Sequence, residues 1–550
     1  MSKTTKFLSI GIDMYKEARG KERDPERKTL NANDLEKALI AFEDYLKHKG
    51  ELYTKEPEGK KGVFELTVTE DFSGVISEVR LYPVKPGESL TSEYEANGRV
   101  DFYRFVTNRD GKLSESLPVG KYLVKVSKGS EYEIEYFYVD IKEDTLVESE
   151  VSLKRFADLS KEGFFAGDIH HHSIFSSPVW GGDDDVKESP LEVAESMQAM
   201  GLRFGALSDH HNILNHKEWK ATENEDFYPI VSKEISTSNG HVLSLGVENY
   251  DVIYKIPKDE DRTDEYLRNE FVRITDEIRD HKGLPQLNHP RDLSKSISWN
   301  PDFYDMTEVF ETIEIWNGSN PMYTGSTDWM AAKFWRDLLE EGRWFPVTTG
   351  SDTHNIKAND YHVLTGKLYW FLEKAKEYGE GFINECSEWS YLFKSFLNIG
   401  KEFLPFMEVW AKTCLTSGCV RTYIELYKNE KLKTDSALNA LRSGHSFITN
   451  GPILDVHVNG EHLGGIVEVK NGSLDLDIRL LSNRKVTKLV AFLSNKKAVE
   501  IPIKDLPTAK SYDYSFELKD FKAEDSSYIF FAAYSDATNL AITNAFRLKH

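Results

Sequence analysis

Three cysteines in 550 residues, Cys386, Cys414 and Cys419, are too few and too scattered for a disulfide framework. They point to a reducing compartment. No run approaches the roughly 18 apolar residues that a membrane helix needs. The basic start, Met1 to Leu8, lacks an apolar stretch of signal-peptide length. The expectation is a soluble, cytoplasmic protein with no membrane partner, although a signal peptide trimmed ahead of residue 1 would leave the same sequence. Long runs of Lys or Arg are also missing, and the net charge is −22. That excludes a nucleic-acid backbone as main partner, because such binding rests on phosphate neutralisation. A small phosphorylated substrate remains compatible, since a local metal cluster outweighs global charge. There is no Gly-x-Ser-x-Gly elbow for a serine nucleophile. Nothing in the sequence sets the oligomeric state.

What is present implies two to four domains, with 40% apolar residues to fill their cores. Residues 1–62 form a charged segment with one helical stripe, Leu35, Leu39, Phe42 and Leu46, and a Lys/Glu/Pro/Gly linker from Lys55 to Gly62. Residues 63–158 alternate, as in Val63 to Val68 and Tyr122 to Val126, and predict a β-sandwich. From 159 to 450 strands alternate with helices. Ser189, Pro190 and Glu192 spell a helix start, and Phe271, Ile274 and Ile278 stripe a long helix. This alternation argues for a parallel sheet or barrel. Aromatic, Lys/Glu-rich residues at about 366–418 read as an inserted helical flap. Residues 451–550 predict a second β domain, in which His457 and His462 read as isolated surface residues.

The histidines are unevenly placed: 11 of 16 lie between His170 and His362. Phe164 to Asp168 runs as an apolar strand into His170, His171 and His172. Strand periodicity puts Asp168, His170 and His172 on one face and turns His171 away. Asp352 and His354 repeat the i, i+2 device at the end of Val347 to Gly350. Between them stand His210 after Ser208-Asp209, Glu234, His241 after Gly240, and His289 in Asn288-His289-Pro290. Nearly all fall at strand C-terminal ends, where (β/α) barrels place their chemistry. Each residue alone has an ordinary structural explanation; together they read as one multinuclear site. Mixed imidazole and carboxylate donors suit Zn, Mn or Fe, and carboxylates can bridge two ions. Asp168 and Asp209 read as partners that orient ligating imidazoles. Arg291 and Arg421 are candidate anion-binding residues.

These ordered motifs, from Asp168-Ile169-His170-His171-His172-Ser173 to Gly350-Ser351-Asp352-Thr353-His354, resemble those of the PHP (polymerase and histidinol phosphatase) superfamily. The flanks, with Pro118-Val119-Gly120-Lys121-Tyr122 before and Gly444 to Pro452 and Ala541-Ile542-Thr543-Asn544 after, resemble its carbaryl-hydrolase-like branch. The resemblance implies an α/β fold: a distorted (β/α)7 barrel flanked by N- and C-terminal sandwich-like β domains. It implies two or three divalent ions held by His170, His172, His210, Glu234, His241, His289, Asp352 and His354. One further family ligand falls among Asp183, Asp184 and Asp185, and spacing back from Ser189-Pro190 favours Asp185. The function expected is metal-dependent hydrolysis of a small-molecule phosphoester by a metal-activated water. The alternatives are a carboxylic or carbamate ester (or amide) hydrolase and a non-catalytic carbohydrate- or peptide-binding protein.

Overall fold

A computed structural model describes residues 59–84, 86–87, 90, 102–182, 186–255, 262–292, 297–318, 321, 327–356, 416–427, 430–523, 525–535 and 539–550. The helix expected at 33–46, most of the flap at 366–418, and Asp183, Asp184 and Asp185 lie outside these residues. Among the described residues no helix is long and apolar enough to cross a membrane.

The first module has eight strands: β1 (Lys61–Glu70), β2 (Ser73–Gly74), β3 (Glu78–Pro83), β4 (Tyr103–Val106), β5 (Lys112–Pro118), β6 (Gly120–Ser127), β7 (Glu135–Ile141) and β8 (Leu146–Ser152). Lys61 and Gly62, expected in a linker, already belong to β1. One sheet joins β1, β2, β5 and β8; the other has the order β4-β3-β6-β7. Alternation along β1 turns Phe64, Leu66 and Val68 inward, into one core with Val79, Leu81, Val124 and Val126 of the second sheet.

The middle of the chain runs β9 (Phe164–Asp168), α1 (Pro190–Ala199), β10 (Phe204–Leu207), α2 (His216–Lys220), β11 (Tyr228–Thr237), β12 (Gly240–Leu245), α3 (Asp264–Asp280), β13 (Leu284–Asn288), β14 (Thr312–Asn317), α4 (Thr327–Glu340) and β15 (Val347–Gly350). Ser189 caps α1 in a reciprocal capping box with Glu192. Phe271, Ile274 and Ile278 are the buried stripe of α3. The seven strands neighbour one another in sequence order. Beyond the strand ends, Asp352 N–H donates to the His170 carbonyl (2.8 Å) and His172 N–H to the Thr353 carbonyl (3.1 Å). These bonds tie the end of β15 to the end of β9.

The order is not purely parallel. β12 is antiparallel to both β11 and β13. Only Ser238 and Asn239 separate β11 from β12, and a parallel return would need a crossover of about a dozen residues or more. A 3-10 helix, Pro301–Val309, precedes β14; Asn300 caps it and Pro301 opens it.

The remaining elements are β16 (Arg421–Glu425), α5 (Thr434–Ser443), β17 (Ser446–Thr449), β18 (Ile453–Val458), β19 (Ile466–Glu468), β20 (Ser473–Ser482), β21 (Val486–Leu493), β22 (Ala498–Ile501), β23 (Tyr512–Lys522), β24 (Tyr528–Ser535), β25 (Leu540–Thr543) and β26 (Phe546–Lys549). β16 pairs with β9, and the sheet continues through β17 into β25, β24, β21 and β22. The hydrogen-bonded sheet thus crosses residue 450 without a break. The three-stranded sheet β18-β20-β23 covers one side of it, sharing a core of Leu454, Leu476, Leu480, Leu489 and Phe531. Among the described residues the fold is mixed α/β, rich in strands and sparing in helices.

Candidate metal centre

The strand ends converge. His170 and His172 follow β9, His210 follows β10, Glu234 lies in β11, His241 in β12, His289 follows β13, and Asp352 and His354 follow β15. Eight of the nine expected ligands therefore share one cluster; the ninth, Asp185, is outside the described residues.

Three donor groups can be traced. The first holds His170, His172, Glu234 and Asp352. His170 Nε2 is 3.4 Å from His172 Nε2, 3.2 Å from Glu234 Oε2 and 3.3 Å from Asp352 Oδ1. His172 Nε2 is 3.5 Å from Glu234 Oε2 and 2.9 Å from Asp352 Oδ1. Bonds of about 2.0–2.1 Å to a tetrahedral ion place ligand atoms roughly 3.3–3.5 Å apart. The second group is Glu234, His241 and His289. Glu234 Oε1 lies 3.1 Å from His241 Nδ1 and 3.0 Å from His289 Nε2. Glu234 thus turns one oxygen to each group, as a bridging carboxylate must. The third group is His172, His210 and His354, whose rings stack on His172 at 4.6 and 4.2 Å. It contains no carboxylate among the described residues.

The ring orientations follow from hydrogen bonds on the far nitrogens. His170 Nδ1–H donates to Glu314 Oε1 (3.0 Å). Ser176 gives its one proton to Asp209 (2.7 Å), so His172 Nδ1–H must donate to Ser176 Oγ (2.9 Å). His354 Nδ1–H donates to the Asp352 carbonyl (2.8 Å). The Nε2 lone pairs of His170 and His172 therefore face each other, and something positive must lie between them. Asp352 Oδ1 is buried without a hydrogen bond, although His172 Nε2 is 2.9 Å away. Such an atom fits a cation better than it fits its neighbour.

Electrostatics agree. Burial opposes ionisation of Glu234 and Asp352. The imidazoles around them, His170 foremost, overcome it and hold both carboxyls well below the usual range. Burial would push His170 down, but Asp352, Glu314 and Glu234 raise it well above the ordinary imidazole value. His289 is pushed up to about 9 against burial by its bond to Glu234. His172, buried and beside His354 and His210, is lowered to about 4.

Backbone strain gathers here too. His289 has φ 24° and Asp352 φ 50°, both left-handed. At Gly350 the chain passes so close to β9 that a Cβ would lie 2.1 Å from His170 Cβ and 2.8 Å from Glu314 Oε1.

Sequence reasoning missed Glu314. A lone carboxylate in the apolar strand Ile313-Glu314-Ile315, fully buried, was the available signal. Its second oxygen accepts from His289 N–H (2.9 Å), so it braces two of the histidines. Three expectations need correction. Asp168 touches no imidazole ring; it accepts backbone N–H groups of Ser351 and Gly418. Asp209 reaches His172 only through Ser176, while also accepting from Ser173. Arg421 is buried and donates to the carbonyls of Met200 and Gly418, so it is not an anion site. Arg291 lies over the rings of Tyr304 and Phe334. His171, with both nitrogens bonded to the His172 carbonyl and Ser417, is structural.

No family model matches the chain. No curated protein matches it either. Among solved structures, the chain is similar to a Bifidobacterium adolescentis protein provisionally described as a metal-dependent phosphoesterase, at 14% identity, 34% coverage of this chain, 87% of that chain, and a TM-score of 0.24. It is also similar to an amidohydrolase from Chromobacterium violaceum with bound sulfate and no metal, at 15% identity, 34% and 87% coverage, and a TM-score of 0.25. At such scores the likeness decides nothing about activity, and the functional reading rests on the side chains.

Proposed function

We propose that the chain is a metal-dependent hydrolase of the PHP type and that its substrate is a small phosphoester. The observation that carries this reading is the first donor group: two imidazole nitrogens 3.4 Å apart, each 2.9–3.5 Å from the same two carboxylate oxygens, with Glu234 shared onward to His241 and His289. When bound, divalent ions would supply an acidified water and neutralise charge that develops on the reacting group.

The protein's own part is positioning. Glu314 and Ser176 lock His170 and His172 in the tautomers that present Nε2. The fully buried walls keep bulk water out, whereas the side chains of Asp352 and His354 stay 23% and 21% exposed. Substrate therefore enters on the Asp352–His354 side. His354, with Nδ1 committed to a backbone carbonyl, presents Nε2 to the third donor group on that side.

The preference for phosphate follows from charge. Among the described residues, Glu234 and Asp352 are the only carboxylates in the three donor groups. Two or three divalent ions would leave the site positive even with Glu314 close by, which favours a doubly charged phosphoester over a neutral ester. The test is turnover of a chromogenic phosphomonoester by protein loaded with Zn²⁺, Mn²⁺ or Fe²⁺. Activity should vanish with a chelator and return with metal; activity indifferent to the chelator would refute the reading.

A further inference from the structure

Far from the strand ends that carry the cluster, a second set of donors gathers at the join between the barrel strands and the C-terminal sheets. Glu425 ends β16, opposite Phe164 at the start of β9. His170 follows the other end of β9, roughly 20 Å away at about 3.3 Å per residue. The first contributor from the C-terminal part is β18, where Asp455 and His457 share a face by the period of two. The second is the tight turn after it. Asn459 and Gly460 both take positive φ, 51° and 83°, as a two-residue hairpin turn requires. Val458 and Glu461 exchange backbone bonds across it. This folds His462 back onto His457, with ring centroids 4.6 Å apart.

We infer that Glu425, His457 and His462 form a separate binding site for a borderline divalent cation of the zinc class. One ligand atom from each lies within 4.8 Å of the others. Two imidazoles and a carboxylate are a donor set such ions take. His462 Nδ1 already meets Glu425 Oε1 at 2.7 Å. The independent sign is at His457. Its Nε2 and the neighbouring Asp455 Oδ1 are both shielded from solvent without a hydrogen bond. They stand 3.7 Å apart, too far to bond each other and close to the ~3.3–3.5 Å between two ligands of one tetrahedral ion. An ordinary His462–Glu425 ion pair would leave those two atoms unexplained. His462 is half exposed, so the ion has a way in. The ion would clasp β16 to β18 on the face away from the cluster, where barrel residues serve stability rather than chemistry. The site stands whether or not the histidine cluster is catalytic.

The test is bound zinc per chain, by elemental analysis after dialysis of the full chain against Zn²⁺. It compares wild type, the double variant His457→Ala/His462→Ala, Glu425→Gln and His172→Ala. The double variant should carry one zinc fewer than wild type with unchanged hydrolysis. Glu425→Gln, which keeps a hydrogen bond to His462 and so guards against a folding defect, should lose the same zinc. His172→Ala should lose zinc elsewhere and retain this one. Wild-type zinc content in both Glu425→Gln and the double variant would overturn the site.

Discussion

His170 and His172 turn their Nε2 atoms toward each other at 3.4 Å while their Nδ1 protons are spent on Glu314 and Ser176. Two lone pairs held face to face in a dry pocket are stable only with a positive centre between them. In the metal-free chain a proton serves: against burial, Asp352, Glu314 and Glu234 hold His170 well above the ordinary imidazole value. In the working protein a divalent ion would take their place.

Glu314 gives the sharpest mutational prediction. Glu314→Gln keeps the shape but removes the charge that fixes the His170 tautomer and supports the His289 backbone. Metal affinity should fall roughly 10- to 100-fold, as for other outer carboxylates behind ligating histidines. A metal titration showing unchanged affinity would remove Glu314 from the account.

Glu234 should matter more, because its two oxygens serve two donor groups. Glu234→Gln should lose more affinity than Glu314→Gln and lower the number of ions bound, read by elemental analysis. Equal losses for the two variants would argue against a bridge.

Gly350→Ala tests the close approach of β15 to β9. Its methyl would collide with His170 Cβ. Overpacking of this kind costs about 1–3 kcal/mol, so thermal unfolding should come earlier and metal content should drop together. Ala tolerated without either change would mean that the spacing at His170 is slack.

Metal binding should release protons. His289 lies near 9 in the metal-free chain, so at pH 8 it is largely imidazolium and must deprotonate to ligate. Affinity therefore weakens as pH falls. Calorimetry in buffers of different ionisation enthalpy should show heats that track the buffer; heats independent of buffer would contradict this.

Much of the candidate site was legible because i, i+2 pairs mark strand ends: His170 and His172 share the first donor group in this way, while Asp352 and His354 enter two groups that meet at His172. Glu314 was not legible, since a single Glu in an apolar strand carries no spacing partner. His457 and His462 read as isolated because their meeting depends on the positive-φ turn at Asn459-Gly460 and on Glu425 from a distant strand. The hairpin reversal of β12 was written in the short Ser238-Asn239 link, yet the alternation of strands and helices around it suggested parallel order. The i, i+2 pattern also overreached at Asp168, whose carboxylate is used by backbone N–H groups instead of a ring.

The most direct measurement compares two chromogenic substrates with one leaving group, a phosphoester and a carboxylic or carbamate ester, on metal-loaded wild type and Asp352→Ala. Wild type should turn over the phosphoester, and Asp352→Ala, lacking a donor of the first group, should lose at least ~100-fold. Turnover of the carbon ester alone, or phosphoester turnover that survives Asp352→Ala, would contradict this.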